Sequence, residues 1–392
     1  MSPEKCDVLV AGGSVAGLLV ARELASRGVS VIVLEEDHEI GTPEHCSGVV
    51  SVRGLNKLGI IPDSDVIQNF MTKAQISCLL TKITLNAENQ NVAVVDRRLF
   101  DKQIAKQAQN QGAIIRTRSA YRKITENGSS AIVVKTSDGE LRCNYIVDAR
   151  GIGSLVSKNR DCVLPSAQFE IYAEWISGIN LEVCFDSDLY PGFFAWVIPI
   201  EQGKAKVGVA GRGINAAETL KKFIESRGEK CAIIRKVFAP IWVGGPINSF
   251  VEGNVIKVGD SAGQTKPTTA GGIFSCGLAG ILAGEAISEA ITHNNPSALQ
   301  NYDKNWRRIF QNEFSKLLIA RKILERLDNR ALDEIFKSLS NLKLNEIAKT
   351  GDFDFHSSAL SLIFGSGIAI GVTKGIISNE IRKILGRQHS NL

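Results

Sequence analysis

The stretch DVLVAGGSVAGLLVARELASRGVSVIVLE, residues 7–35, decides the fold. VLV is a short apolar run of the kind that a parallel sheet buries on both faces. A glycine turn follows, then an Ala/Leu-rich helix stopping at Gly28, then VIVL as a second strand. That is a complete βαβ unit. The turn spells G-G-S-V-A-G from Gly12 to Gly17. Gly12 allows a sharp turn, the small Ser14 and Ala16 let backbone approach a pyrophosphate, and Gly17 lets helix and strand pack closely. Ser14 stands where a second glycine is usual, and its small size suffices. The helix N-terminus then offers unpaired N–H groups to phosphates. Glu35 ends the second strand, where a carboxylate accepts hydrogen bonds from a ribose diol. A glycine turn without a ligand is the plainer alternative.

Outward from this unit, 392 residues are too many for one simple core, and two or three packed units are expected. With 44% hydrophobic and 22% charged residues the composition is that of a globular protein. The net charge of +5 is spread along the chain without a basic block, so no nucleic-acid partner is expected. The eight Cys form no CxxC pair, which argues against a zinc or thioredoxin-type site, and no metal is expected. The N-terminus runs straight into a strand pattern, and no uncharged run reaches the ~20 residues of a membrane span. A cytoplasmic, reduced chain is the expectation.

The dinucleotide is identified far downstream, in NVIKVGDSAGQTKPTTAGGI, residues 254–273. A strand runs into Gly259-Asp260, and a loop then leads to Gly271-Gly272 and a helix starting near Ile273. This resembles the second flavin fingerprint of glutathione-reductase-like flavoproteins. The resemblance implies that Asp260 contacts the ribityl chain and that Gly272 and Ile273 present a positive helix end to the flavin, where reduction places negative charge. FAD is therefore the expected cofactor. VVDRRLFDKQIAKQA, residues 94–108, reads as a strand entering a helix; the same class places the arginine of R-x-x-F-D near the cofactor, here Arg97, with Asp101 starting the helix. RCNYIVDARGIGS, residues 142–154, resembles a late segment of the class and brings Asp148 or its backbone near the cofactor. GAIIRTRSAYRKI, residues 112–124, reads as the strand passing the adenine, with Ala120 at its small position.

From about residue 166 the pattern changes to alternation. FEIYAEW, LEVCF, FFAWVIPI and KAKVGVAG are four strand candidates, the last two joined as a hairpin through EQGK. LKKFIESRG is an amphipathic helix closing on Gly228. Alternation puts Phe194, Trp196 and Ile198 on one face and Ala195 and Val197 on the other. The partner strand offers the small Gly208 and Ala210, which leaves room for a molecule, or a packed element, against the apolar strip.

FFAWVIP followed by Gly208 resembles the Y-x-W-x-F-P-x8-G-x-G segment of the geranylgeranyl reductase family, within the para-hydroxybenzoate hydroxylase-like flavoproteins. EHCSGVVS, residues 44–51, resembles its cysteine-glycine segment, and KPTTAGGI its loop before the flavin-facing helix. The resemblance spans about residues 5–310, with Phe194, Ile198 and Ala210 departing from the pattern. It implies an FAD enzyme that saturates the isolated C=C bonds of prenyl chains of lipids or prenyl diphosphates, with reduced flavin N5 as hydride donor. Cys46, Ser47, Gly48 and Val49 then lie by the cofactor, and Phe194, Trp196, Ile198, Pro199 and Gly208 line the substrate. Trp196 is the expected cation-stabilising face, and Cys46, beside His45, the expected proton relay or a positioning residue.

The expected fold class is α/β: an FAD-binding Rossmann-type domain (1–165 and 249–300), an inserted, mostly antiparallel β-sheet substrate domain (166–248) and a helical C-terminal part (301–392). NYDKNWRRIFQNEFSKLLIARKILERL is read as a helix covering the FAD domain. SSALSLIFGSGIAIGVT, residues 357–373, precedes Lys374, Arg382, Lys383 and Arg387; it is read as a buried helix, with peripheral membrane contact as the alternative. A monomer is expected. With no second nucleotide unit, electrons must come from outside, from NAD(P)H or a ferredoxin-like protein. The rival readings are a flavin-dependent halogenase or aromatic hydroxylase, which shares the W-x-I-P run, and an electron-transfer flavoprotein.

Overall fold

A computed structural model describes residues 3–128, 131–156, 159–178, 180–228, 230–340 and 352–356. The chain divides into two units. The first comprises Met1–Ile67, Val95–Val163 and Trp242–Phe314; the second comprises Gln68–Val94, Leu164–Ile241 and Ser315–Leu392.

The first unit is built on a six-stranded sheet in the order Val251–Glu252, Val255–Lys257, Tyr145–Asp148, Val8–Ala11, Val31–Leu34, Ile114–Arg116. Only the first pair is antiparallel. Val8, Leu9 and Val10 are fully buried, as the unbroken apolar run requires. One cover is a four-stranded sheet of Glu4–Lys5, Glu140–Cys143, Ile132–Thr136 and Tyr121–Asn127, whose Ile132, Val134 and Leu141 pack on Leu9, Ile32 and Ile146. Burial among them pushes the thiols of Cys6 and Cys143 up to about 12, so both serve as inert core.

Two long helices of this unit, Val15–Ser26 and Ile273–Thr292, approach closely because one carries glycines along a stripe. A β-carbon on Gly280 would meet the Ala16 carbonyl oxygen at 2.4 Å, and one on Gly284 would meet Glu23 Cβ at 2.7 Å. Ile273–Thr292 is long and apolar enough to cross a membrane, but 67% of its apolar window is buried inside the protein. The helix Leu299–Leu324 sets Tyr302, Trp306, Phe310 and Phe314 four residues apart on one buried edge. The Trp306 indole donates to the Ser275 carbonyl at 3.1 Å, and the Tyr302 hydroxyl donates to the Lys257 carbonyl at 2.8 Å.

The second unit is a seven-stranded, mostly antiparallel sheet: Cys231–Trp242, Val163–Ala173, Lys204–Ala210, Ala195–Glu201, Asn180–Phe185, Lys73–Cys78, Thr81–Asn86. Three of these strands were not read from the sequence. Residues 68–94, expected within the nucleotide-binding stretch, supply the hairpin of the last two. One sheet face, with Phe169, Ile171, Ala195, Val197, Val207 and Val209, packs on Leu220, Phe223 and Ile224 of the helix Ala216–Glu225. Asn215 caps that helix by accepting from the Glu218 amide. The helix Asn329–Ser340 covers the far end of the other face through Ala331, Leu332, Phe336 and Leu339 on Cys78 and Ile83. Residues 357–373 and the basic positions after them lie outside the described residues.

Candidate active site

In the first unit the glycine turn is fixed by two close approaches. Gly12 has φ 112°, and a β-carbon there would meet the Ala149 carbonyl oxygen at 2.3 Å. One on Gly17 would meet the Gly12 carbonyl oxygen at 2.1 Å. Both contacts are with backbone, so neither position tolerates a side chain. Ala16 lies against Gly259, whose φ of 68° turns the chain toward Asp260. Glu35 accepts from the Gly13 amide at 2.8 Å and the Asp37 amide at 3.0 Å. Burial outweighs these hydrogen bonds and raises its pKa.

Arg97 gathers the residues around Ser14. Its Nε donates to Asp101 Oδ1 at 2.9 Å and its Nη2 to Asp101 Oδ2 at 2.8 Å, a fork on a buried carboxylate. Nη2 also donates to Ser14 Oγ at 3.3 Å, and Cys46 lies near enough to act on the guanidinium charge. Burial alone would lower the Arg97 pKa; the charges and hydrogen bonds of Asp101 and Cys46 raise it instead. The expectation that Asp101 starts the helix is corrected. Helix Arg97–Asn110 is capped by Asp96, whose carboxylate accepts from the Arg98 and Leu99 amides, and Asp101 lies one turn in. An aspartate four residues after an arginine on a helix faces it, which the R-x-x-F-D spacing already encodes.

The segment 44–49 is tied to the same place. Glu44 accepts from the Arg97 amide at 3.2 Å, and Cys46 Sγ accepts from the Gly48 amide at 3.4 Å. The Gly48 carbonyl accepts from the Val95 amide at 2.9 Å. Ser47 and Val49 are half-buried beside them. The buried Glu44, a residue that no motif marks, joins this segment to the Arg97 helix.

Asp148 and Ala120 turn out to be internally engaged. The Asp148 carboxylate accepts from Arg150 Nε and Nη2 at 3.0 and 2.9 Å, from Ser154 Oγ and from Ser261 Oγ. Its side chain therefore braces the strand end. Ala120 sits between two strands rather than within one, and Ser137 holds both its amide and its carbonyl. Asp260 opens the 3-10 turn Gly259–Ala262 and accepts from the Thr265 hydroxyl and, at 3.8 Å, from Cys276 Sγ. Gly272 is the N-cap of the helix beginning at Ile273.

The helix N-termini test whether these residues fit an anionic dinucleotide. Two other helices of the chain are capped by a side chain, Arg97–Asn110 by Asp96 and Ala216–Glu225 by Asn215. Ser14 and Gly272 make no side-chain cap, and neither helix carries an acid in its first turn. Two uncapped positive ends, one with a glycine cradle, suit phosphate and an electron-rich ring. FAD fits.

The second unit carries the apolar strip. Trp196 pairs with Gly208 across the hairpin, and a β-carbon on Gly208 would meet the indole at 2.3 Å. The room beside the strip at Gly208 is therefore filled by Trp196 itself, correcting the expectation that it stood open there. The indole N–H donates to Gln168 Oε1 at 3.1 Å. Phe194 meets Trp196 edge-on at 6.1 Å, stacks on Phe193 at 4.2 Å, and contacts Phe185 at 5.5 Å; Phe185 in turn contacts Phe336 at 5.4 Å. This is a continuous aromatic row whose Phe185, Phe194 and Trp196 are only half-buried. Ile198 and Pro199 are buried beyond it. On the same face lie the buried Gln168, Glu170 and Lys206, with Glu170 held by Lys204 at 2.9 Å and by Arg235. No sequence signal marks this polar end, because it is assembled from three strands.

Comparison with known proteins shows the family. Residues 5–215 match the FAD binding domain family. The chain is 32% identical to digeranylgeranylglycerophospholipid reductase 2 of Methanothermobacter thermautotrophicus, over 88% of this chain and 94% of that one. It is 29% identical to digeranylgeranylglycerophospholipid reductase 1 of Methanopyrus kandleri, over 88% and 96%. Its fold is that of a geranylgeranyl bacteriochlorophyll reductase-like protein from Thermoplasma acidophilum, with TM-score 0.86 at 23% identity over 95% and 100% of the two chains. A myxobacterial chondrochloren halogenase shares the fold less closely, with TM-score 0.64 at 16% identity over 93% and 98%. With its FAD-binding domain, the chain belongs to the digeranylgeranylglycerophospholipid reductase family.

Proposed function

We propose that this protein hydrogenates isolated C=C bonds of geranylgeranyl chains carried by glycerophospholipids. The observation that carries the reading is the half-buried aromatic row Phe185–Phe194–Trp196 on a sheet of a chain whose relatives bear that activity in their names. Bound and reduced, FAD supplies the hydride equivalent. In the first unit, Gly12, Ser14, Ala16 and Gly17 would let the pyrophosphate of a bound FAD approach, Glu35 would accept from its ribose diol, and Asp260 from its ribityl chain. Arg97, locked by Asp101, fixes the segment from Cys46 to Val49 beside them. Cys46 passes a proton toward the alkene or holds the segment in place.

In the second unit Phe194 and Trp196 hold the prenyl chain, with Ile198 and Pro199 further along the same strand and Gly208 on the partner strand under the indole. Their ring faces attract the positive charge that develops on the more substituted alkene carbon, an effect of ~0.5–2 kcal/mol. Electrons arrive from an external donor, a nicotinamide or a ferredoxin-like protein, and the protein works as a cytoplasmic monomer that visits the membrane surface.

The test is mass spectrometry of a geranylgeranyl glycerophospholipid incubated anaerobically with the FAD-loaded, dithionite-reduced protein. Products heavier by steps of ~2 Da, one H2 per bond, are expected. Lipid of unchanged mass beside fully reduced flavin would end the proposal, and oxygen-dependent product would point to the halogenase and hydroxylase reading.

A further inference from the structure

Arg150 borders the glycine turn of the first unit. It follows Ala149, whose carbonyl closes on Gly12, and a β-carbon on Gly12 would come 3.1 Å from the Arg150 amide nitrogen. The Arg150 side chain is pinned on two sides. Its Nε and Nη2 donate to the Asp148 carboxylate at 3.0 and 2.9 Å, and its guanidinium carbon stands 4.4 Å from the centroid of the Tyr121 ring. Asp148 is itself buried and held by Ser154 and Ser261. The arginine side chain is nevertheless 41% exposed. The carboxylate takes one edge and the ring one face, which leaves the opposite face of the guanidinium to solvent.

Two backbone ties bring Tyr121 to the strand end that carries Glu35. The Ser119 amide donates to the Glu35 carbonyl, and the Arg118 amide to the Asp37 carbonyl, both at 2.8 Å. Tyr121 follows two residues after Ser119. The charge of Arg150 is set mainly by Asp148, and Tyr121 and Glu36 are close enough to act on it as well. Arg150 thus lies between the glycine turn and the end of the Glu35 strand.

The chemistry of FAD suits that place. A ribose that hydrogen-bonds Glu35, with its pyrophosphate at the glycine turn, carries its base within reach of both. The base is flat and presents a π face. A guanidinium is planar and weakly hydrated, so it stacks on such faces where an ammonium does not. The edge that would grip a phosphate through two parallel hydrogen bonds is already taken up by Asp148. What Arg150 offers a ligand is therefore its flat face, which favours a ring over a phosphate.

We infer that Arg150 is the platform for the adenine of FAD. Its guanidinium is held between the Tyr121 ring and the base, and Asp148 locks it in that plane before the cofactor arrives. The inference rests on FAD as the cofactor and is independent of which bond the flavin reduces.

The test uses the full chain freed of flavin, with FAD titrated by fluorescence and ADP by calorimetry. ADP carries the adenine, ribose and pyrophosphate without the flavin. The wild type binds both. Arg150→Ala binds each about tenfold more weakly, from the lost stacking. Arg150→Lys keeps a positive charge beside Asp148 and has no flat face. Its flavin-free melting point stays that of the wild type, and it loses the same factor on both ligands. Wild-type affinity in the alanine variant overturns the platform. So does full affinity in the lysine variant, which would show that charge alone acts. A loss on FAD with ADP unaffected, or a wild type that does not bind ADP, also overturns it. Lipid reduction is not read in these titrations, so a failed prenyl assay would remove the function proposed above and leave the platform standing.

Discussion

Trp196 lies flat on Gly208: a β-carbon at residue 208 would come within 2.3 Å of Cζ2 and 2.4 Å of Cε2 of the indole. The glycine is the floor on which the aromatic row rests. The Ala167 carbonyl lies 2.8 Å from the same point, so the new methyl has no room to shift. Gly208→Ala should cost about 1–3 kcal/mol in overpacking, read as a lower urea midpoint with unchanged m. Full stability would mean that the indole swings away freely.

Trp196 also tests the chemistry. Trp196→Phe keeps a ring face but loses the hydrogen bond to Gln168, whereas Trp196→Ala removes the face. If cation stabilisation of ~0.5–2 kcal/mol is its contribution, kcat on a geranylgeranyl lipid falls about 2- to 30-fold in Trp196→Ala and less in Trp196→Phe. Equal rates for all three proteins would show the tryptophan to be core alone.

Gly17→Ala drives a methyl into the Gly12 carbonyl, 2.1 Å away. The turn must open, and FAD occupancy of the purified protein should fall to a small fraction of wild type while the second unit still folds. Retention of stoichiometric flavin, measured by absorbance after gel filtration, would disprove the cradle.

Arg97 and Asp101 form a buried fork between Ser14 and Cys46. Asp101→Ala strands the guanidinium and should cost about 3–5 kcal/mol while weakening FAD binding. Cys46→Ala leaves the fork intact, so flavin stays bound; slowed alkene reduction would mark Cys46 as the proton relay, and an unchanged rate would leave only the backbone of residue 46 in contact with the site. The two variants together separate holding the flavin from moving the proton.

Asp148 makes acid sensitivity predictable. Burial opposes its ionisation, but the hydrogen bonds and charge of Arg150, with Ser154, prevail and hold its carboxyl below the ordinary aspartate range. A depressed folded pKa stabilises above the unfolded value of ~3.9 and is lost as pH falls through the folded value. The melting point should therefore drop steeply below about pH 4. Asp148→Asn should melt lower than wild type at pH 7 and change less between pH 4 and 2. A variant with the full acid sensitivity of the wild type would show that other carboxylates dominate.

The sequence by itself determined the βαβ cradle from Val8 to Glu35, the Gly259-Asp260 segment and the alternating strands around Trp196. Each is local: its glycine spacing, or its period of two, is written within a few residues. Arg97 and Asp101 were both singled out, but Asp101 was read as the helix start, and their pairing emerges only once Asp96 is seen to cap a helix that begins at Arg97. Tertiary structure alone decided the rest. The hairpin from Lys73 to Asn86 joined the far sheet because its partner, Asn180–Phe185, lies a hundred residues away, and a strand does not carry the identity of its neighbour. Glu44 on Arg97, Ser137 on Ala120 and Ser261 on Asp148 are long-range hydrogen bonds, set by where the loops return. Gly208 read as open room beside a strip because a strand pattern gives faces but not side-chain directions. Only the packed sheet lays the indole of Trp196 across it.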